Sequence, residues 1–452
     1  MPDILPLLLT LSPDLPKTSC RQLHRIVLAM LAMTGRITQL GLSRWTEKGG
    51  SYRTVHRFFQ TNRDWKKVQW RFFERFLYRP NAVYLLAGDE SVVSKSGKHT
   101  YGIGWFFSSI LNTVIPGLAF FSIAIIDVQK RRAYPLSVKQ VIRSEEEKEQ
   151  TRKRKDKQKQ STPKRPRGRP KGSKNKNKAD LPLSPELQRI LLQGQEVMDL
   201  IREKLPLAYF VLDGHFGNAF ATAMVRQMGL HLISKMQHNA QLYQRPTPEE
   251  KTEHPKLKYG ARIDYQHLPE KLRVASTTEE GYCTQVYQVP CLHKHFAELI
   301  NVVIIVRTNL ATKQVGHVVL FSSDLSLSAL SLIDYYALRF QIEFTFRDAK
   351  QYFGLEDFMG VKQISINNAV GLSFFMVNLS RYLLDALRLS YPGAGVNDLK
   401  SFYRARHYVS EVLKYLPEKA GIISYSDLIE QVCRHALIHP RQHREAELKL
   451  AA

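Results

Sequence analysis

Three acidic residues, Asp89, Asp213 and Glu343, stand where carboxylates of distant segments could act together. Leu207-Ala-Tyr-Phe-Val-Leu-Asp213-Gly-His is an apolar run that ends abruptly in an aspartate and a glycine, and Val83-Tyr-Leu-Leu-Ala-Gly88-Asp89-Glu has the same form earlier in the chain. Short apolar runs bounded by turn residues read as buried strands. Both aspartates are therefore expected at strand ends, exposed on rigid backbone, as holding a divalent cation requires. A single strand-terminal Asp is more often a turn former, so a third element has to decide.

That element is Tyr335-Tyr336-Ala-Leu-Arg339-Phe-Gln-Ile-Glu343-Phe-Thr-Phe-Arg-Asp-Ala-Lys350, read as part of a long helix beginning near Leu332. With Tyr336 at zero on a wheel of ~100° per residue, Arg339 falls near ~300°, Glu343 near ~340° and Lys350 near ~320°. The four share one stripe, while Tyr335, Leu338, Ile342, Phe346, Ala349 and Phe353 form an apolar face beside it. Glu343 is thereby placed between a core-facing surface and a polar groove flanked by cations. An ordinary amphipathic helix with solvated charges does not account for an aromatic, a guanidinium, a carboxylate and an ammonium aligned over four turns.

Tyr336, Arg339, Glu343 and Lys350 resemble, in type and spacing, the Y-x2-R-x3-E-x6-K signature of bacterial insertion-sequence transposases of the Insertion Sequence Four superfamily, and Gln351-Tyr-Phe-Gly354-Leu355 looks like its continuation. With Asp89 and Asp213 the resemblance gives a DDE triad, spread over roughly residues 82–360. It implies an α/β, ribonuclease H-like (retroviral-integrase-like) catalytic domain with a β-strand insertion, flanked by N-terminal and C-terminal helical regions. It also implies two Mg²⁺ ions ~4 Å apart on Asp89, Asp213 and Glu343, with Mn²⁺ able to replace them. Tyr336, Arg339 and Lys350 would hold phosphates of the transposon end, the substrate being double-stranded DNA and the active form a homodimer on that DNA. In some relatives an aromatic residue of the insertion supports a flipped base. Here all four Trp residues lie outside 240–325, so Tyr243, Tyr259, Tyr265, Tyr282 or Tyr287 would have to stack.

The elements that must position these residues divide the chain. Residues 1–80 read as a helical DNA-binding region, with Arg21 to Met33 amphipathic and Ser51 to Phe59 following a Gly-Gly turn; a helix-turn-helix-like unit and a plain packing domain fit equally well. Residues 81–236 read as the first part of the catalytic domain, 237–330 as the β-rich insertion, 331–363 as the second part carrying Glu343, and 364–452 as a helical region. The uncharged stretch from Trp105 to Ile126 is long enough to raise a membrane question. Its Ser, Thr and Asn residues and the expected break at Pro116-Gly117 favour a buried hairpin instead.

Charge points to the partner. The 452 residues carry a net +25, and Thr151 to Lys178 holds fourteen Lys or Arg against Asp156 alone, about half of that excess. Such a tract cannot offset its ordering entropy by burial, so 144–182 is expected as a disordered basic insert. Within it, the Pro-flanked Arg167-Gly-Arg169 has the form of an AT-hook for narrow minor grooves, equally well read as a clamp without base preference. Four scattered cysteines and the lack of a basic start or cleavage pattern in Met1 to Cys20 fit a reducing interior, hence a cytoplasmic, nucleoid-associated protein and no membrane. Cys283, Cys291, His293 and His295 lack any usual zinc spacing. The reading is a DDE transposase that cuts at inverted terminal repeats and joins the ends to target DNA. The alternatives are a ribonuclease H-like nuclease or recombinase and a non-catalytic DNA-binding descendant.

Overall fold

The computed structural model describes residues 1–46, 50–108, 111–147, 149, 182–413 and 425–435. The expectations for the basic tract, Arg167 and Arg169 included, fall outside them. The chain begins with α1 (Ile4–Leu9), α2 (Lys17–Ala32), α3 (Gln39–Trp45), α4 (Tyr52–Gln60) and α5 (Trp65–Phe72). Strands β1 (Tyr84–Ser94), β2 (Gly104–Ser108), β3 (Thr113–Asp127) and β4 (Arg132–Val141) follow. Helix α6 (Pro185–Ile201) starts where local chemistry requires: the Ser184 side chain accepts from Leu187 N–H, and Pro185 in the first turn has no N–H to leave unpaired. Next come β5 (Tyr209–Val211), α7 (Ala219–Gln227), β6 (His231–Lys235), β7 (Leu242–Tyr243), α8 (Pro248–Glu253), β8 (Arg273–Glu279), β9 (Tyr282–His293), β10 (Ile300–Asn309) and β11 (Val315–Ser322). Helices α9 (Ala329–Leu338), α10 (Gln341–Tyr352), α11 (Gln363–Arg388), α12 (Val396–Leu413) and α13 (Tyr425–His435) complete the described elements.

The strands form one mixed sheet in the order β2-β3-β1-β5-β6-β11-β10-β9-β7, with β4 also beside β3 and β8 beside β9. β1 is antiparallel to β3 but parallel to β5, and β5 is parallel to β6. The run β4-β3-β1-β5-β6, with α6 and α7 as its crossovers, is compatible with the expected ribonuclease H-like fold. The strands of 237–330 extend this sheet instead of forming a layer of their own, because β11 pairs with β6, Leu320 opposite Lys235.

The stretch from Trp105 to Ile126 does form a hairpin, β2 with β3, but two details differ from expectation. Pro116-Gly117 does not break it: β3 runs straight through. Pro116 lies just past the last β1 pair, Ser94 opposite Gly117, so its missing N–H removes no bond from that ladder. Gly117 allows the close approach there, since a Cβ would sit 2.4 Å from the Val93 carbonyl oxygen. The hairpin is also only half buried, with Trp105 67% and Phe107 57% exposed on the edge strand.

Helix α11 carries the core between the N-terminal helices and the sheet, packing on α4, α5, α10 and β4. Trp65 Nε1 donates to Asn368 Oδ1 at 2.9 Å, and Asn368 Nδ2 donates to the carbonyls of Phe59 and Thr61 at 2.8 Å each. A Cβ on Gly371 would meet the Trp65 ring at 2.2 Å, so only glycine admits the indole. Among the described helices α11 alone is long and apolar enough to cross a membrane, but 78% of its apolar window is buried inside the protein. Farther along, α12 packs on α2, where Lys400 Nζ donates to Met30 O at 2.6 Å. The described residues of 1–80 and of 364–435 thus share one continuous core with the sheet.

Candidate active site

β1 and β5 pair only at Leu86 opposite Phe210 and Ala87 opposite Val211. Beyond that point Leu212 N–H turns to Ile233 O of β6, which leaves the flank of β1 open from Gly88 onward. Asp89 sits at this opening. It is not at the end of its strand, as the sequence suggested, because β3 on the other side carries β1 on to Ser94 with Asp89 opposite Ser122. Gly88 is small for a reason: a Cβ there would come within 2.8–3.0 Å of Phe121, Leu212 and Phe210. Asp213 lies two residues past β5, as expected, and starts a single 3₁₀ turn over Gly214–Phe216 by accepting from His215 N–H at 3.2 Å. Ser234 Oγ donates to its carbonyl at 2.6 Å, which ties that turn to β6.

The expected continuous helix from Leu332 to Phe353 is two helices. Between α9 and α10 the bonds are i to i−3, Arg339 N to Tyr336 O at 3.2 Å and Glu343 N to Phe340 O at 3.1 Å, a tightened turn that ends one helix and starts the next. The cause is packing: α9 lies on β6, β9, β10 and β11, whereas α10 lies on β1, β4 and α11. The apolar face survives the joint, with Leu338, Ile342, Ala349 and Phe353 fully buried. Glu343 falls in the first turn of α10, where the helix dipole favours a carboxylate.

Arg339, at the joint, spans two elements. Its Nη1 lies 3.2 Å from Asp89 Oδ2 and its Nη2 3.0 Å from Glu343 Oε1, with its side chain 15% exposed. Burial pushes the Asp89 carboxyl up to about 6; the Glu90 N–H and Arg339 oppose the shift, and the nearby charges of Asp213 and Glu343 add to it. Tyr336 is half-buried beside Arg339 and Asp213, its hydroxyl also raised by burial. Asp89, Asp213, Glu343, Tyr336 and Arg339 are thus brought together. Lys350 is placed apart, its Nζ donating to Val92 O at 2.8 Å and lying 3.3 Å from Glu356.

A cavity of about 580 Å³ opens on the other side of Asp89 and Asp213, walled by Phe107, Phe121 and Phe216 among others. Glu186 and His215 line it, 3.4 Å apart; that contact raises the imidazole and holds the Glu186 carboxyl low. Glu186 was not legible as a site residue, because Ser-Pro-Glu already reads as a helix start. Of the tyrosines expected to stack on a base, Tyr287 is buried and Tyr265 is stacked on His317 with its hydroxyl on Ala240 O. Exposed aromatics nevertheless stand by the carboxylates, Phe107 of β2 in the cavity wall with Asp89 and Asp213, and Phe340 beside Arg339. Cys291 is a core residue, its thiol pushed up to about 12 by burial.

Hard carboxylate oxygens from three separate elements suit a divalent cation such as Mg²⁺ or Mn²⁺. Among the described residues no three His, Cys, Asp or Glu side chains stand ready as a metal cage. A cation is nevertheless already at the site, the guanidinium of Arg339, held by two of the three carboxylates. The family of DDE superfamily endonucleases matches residues 10–289, which include Asp89 and Asp213 and stop short of Glu343. No curated protein matches the chain.

Proposed function

The chain belongs to the DDE superfamily endonuclease family, and from that premise we propose that it is a DNA transposase of the Insertion Sequence Four type, cutting at transposon inverted-repeat ends and transferring the strands into target DNA. The observation that carries the reading is that Asp89 and Glu343, over 250 residues apart, share one guanidinium, while Asp213 lies near enough to Asp89 to act on its carboxyl. In this reading the three carboxylates hold two Mg²⁺ ions, with Mn²⁺ as a substitute. Such ions, when bound, stabilise the charge on phosphate oxygens during in-line displacement.

The protein's own contribution is position. β1 and the turn after β5 fix two carboxylates on backbone that cannot sag, and α10 brings the third across from the opposite side. Tyr336 and Arg339 face the opening, where they would take phosphates of the bound end. Arg167, Arg169 and the surrounding basic tract would add salt-dependent grip on double-stranded DNA. The exposed face of α4, with Tyr52, Arg53, His56 and Arg57, gives the N-terminal helices a cationic and aromatic surface for the same duplex. We further propose a homodimer on DNA and a place in the cytoplasm of a prokaryote, at the nucleoid.

The test is direct. Purified protein incubated with DNA carrying its own element's ends should release 3′ ends when Mg²⁺ is present and none when it is chelated. Metal-independent cleavage, or end binding without any cleavage, would overturn the reading in favour of another nuclease or of a non-catalytic DNA-binding protein respectively.

A further inference from the structure

Two of the three carboxylates assigned above to metal already hold a cation that the chain itself supplies. The guanidinium of Arg339 bridges Asp89 of β1 and Glu343 of α10 with contacts of 3.2 Å and 3.0 Å, and its side chain is 15% exposed. The bridge depends on residue type. A planar fork with divergent N–H groups can serve two carboxylates on different elements, whereas an ammonium is a single point charge on a flexible stem. It also answers an electrostatic need, since Asp89 is desolvated and feels Asp213 and Glu343 as like charges. Without a cation in the gap these groups would repel, with Asp89 at 23% exposed screened less well than Glu343 at 40%.

A divalent ion placed on the same oxygens meets two obstacles. Asp89 Oδ2 and Glu343 Oε1 already accept from the Arg339 N–H groups, and the guanidinium charge repels the incoming ion. Metal and Arg339 therefore compete for one position. This explains why the carboxylates lie close enough to couple while no ready cage of three acidic groups is present among the described residues.

We propose that Arg339 is the resident cation of the site and is exchanged for the metal: it neutralises Asp89 and Glu343 until a divalent ion enters, and the displaced guanidinium is then free for a DNA phosphate. Metal entry and gripping of the scissile phosphate become one coupled event. Arg339 is in this sense a positioning residue that sets metal affinity, a role that a phosphate contact alone would not give it. The inference rests on the reading of Asp89, Asp213 and Glu343 as metal ligands.

The experiment is Mn²⁺ binding to the full chain without DNA, followed by titration calorimetry and by the electron paramagnetic resonance signal of free Mn²⁺. Arg339→Gln should bind Mn²⁺ more tightly than the wild type, by about 5- to 150-fold, the usual range for coupled ligands. Arg339→Lys, which keeps the charge and loses the fork, should lie between them and serves as the reporter if Arg339→Gln does not fold. Adding Glu343→Gln to either variant should remove the gain. If the variants bind Mn²⁺ as the wild type does, or more weakly, the exchange is wrong while the metal site stands. If neither they nor the wild type bind Mn²⁺, the exchange and the metal reading both fall.

Discussion

Arg339 and Lys350 belong to one stripe of the sequence and face the same strand, but they meet different parts of it. At the start of α10 the guanidinium reaches side-chain carboxylates on β1 and on the helix itself; in the last turn, the ammonium reaches the backbone of β1 at Val92 O. Helix and strand are therefore joined twice, once through charges that chemistry can use and once through a carbonyl that it cannot. Alignment of residue types along a helix reports which surface they face. What each does there depends on the group opposite.

This contrast can be broken by substitution. The largest effect is expected from the carboxylates: Asp89→Asn, Asp213→Asn or Glu343→Gln should each lower strand cleavage by more than about 1,000-fold while end binding persists in a mobility-shift assay. Next, Arg339→Ala should cost about 100-fold in cleavage through misplaced phosphate, a loss that persists at temperatures where the variant is fully folded. Lys350→Ala should show the opposite balance. It leaves Val92 O without its charged donor, an expected loss of about 2 kcal/mol in denaturant unfolding, and cleavage should fall no further than the unfolded fraction requires. A Lys350→Ala protein of normal stability that cannot cleave would return Lys350 to the phosphates and erase the distinction.

Smaller effects sharpen it. Gly88→Ala forces a methyl group against Phe121, Phe210 and Leu212 and should destabilise by about 1–3 kcal/mol, displacing Asp89 without touching Lys350. The pH response has a defined sign. The Asp89 carboxyl is raised from 3.8 to about 6, so between those values the folded chain holds a proton that the unfolded chain has released; this group lowers stability as pH rises through that window, and its anion dominates only above it. At fixed metal concentration cleavage should fall about tenfold per unit below pH ~6. Raising Mn²⁺ should move that midpoint down, since metal and proton compete for the same oxygens. A midpoint indifferent to metal would remove Asp89 from the metal set.

Much of this was legible in the residues. The apolar runs of β3, β4 and β6 and the capped start of α6 announce themselves, and Asp213 stands out because its strand stops there. Asp89 looked like a second strand end because the Gly-Asp pair mimics one; that β1 continues depends on β3, a partner its own residues do not name. The joint at Arg339 was hidden for a similar reason. Nothing between Tyr335 and Lys350 is a helix breaker, and the turn comes from two halves packing on different strands. Sequence periodicity also shows that α2, α4 and α5 have a face to bury, but a face does not say that its complement lies in α11 and α12.

That distant complement has a consequence in time. Trp65 finds its hydrogen-bond partner Asn368 some 303 residues later. At about 5–20 residues per second of synthesis, roughly 15–60 s pass before α11 is made, and for that interval α4 and α5, which can meet α2, α3 and β4, lack the helix that closes the rest of their apolar faces. The nascent chain must carry that remaining surface uncovered past the completion of the sheet, so its yield in the cell should respond to chaperone supply and to translation speed more than its finished stability would suggest.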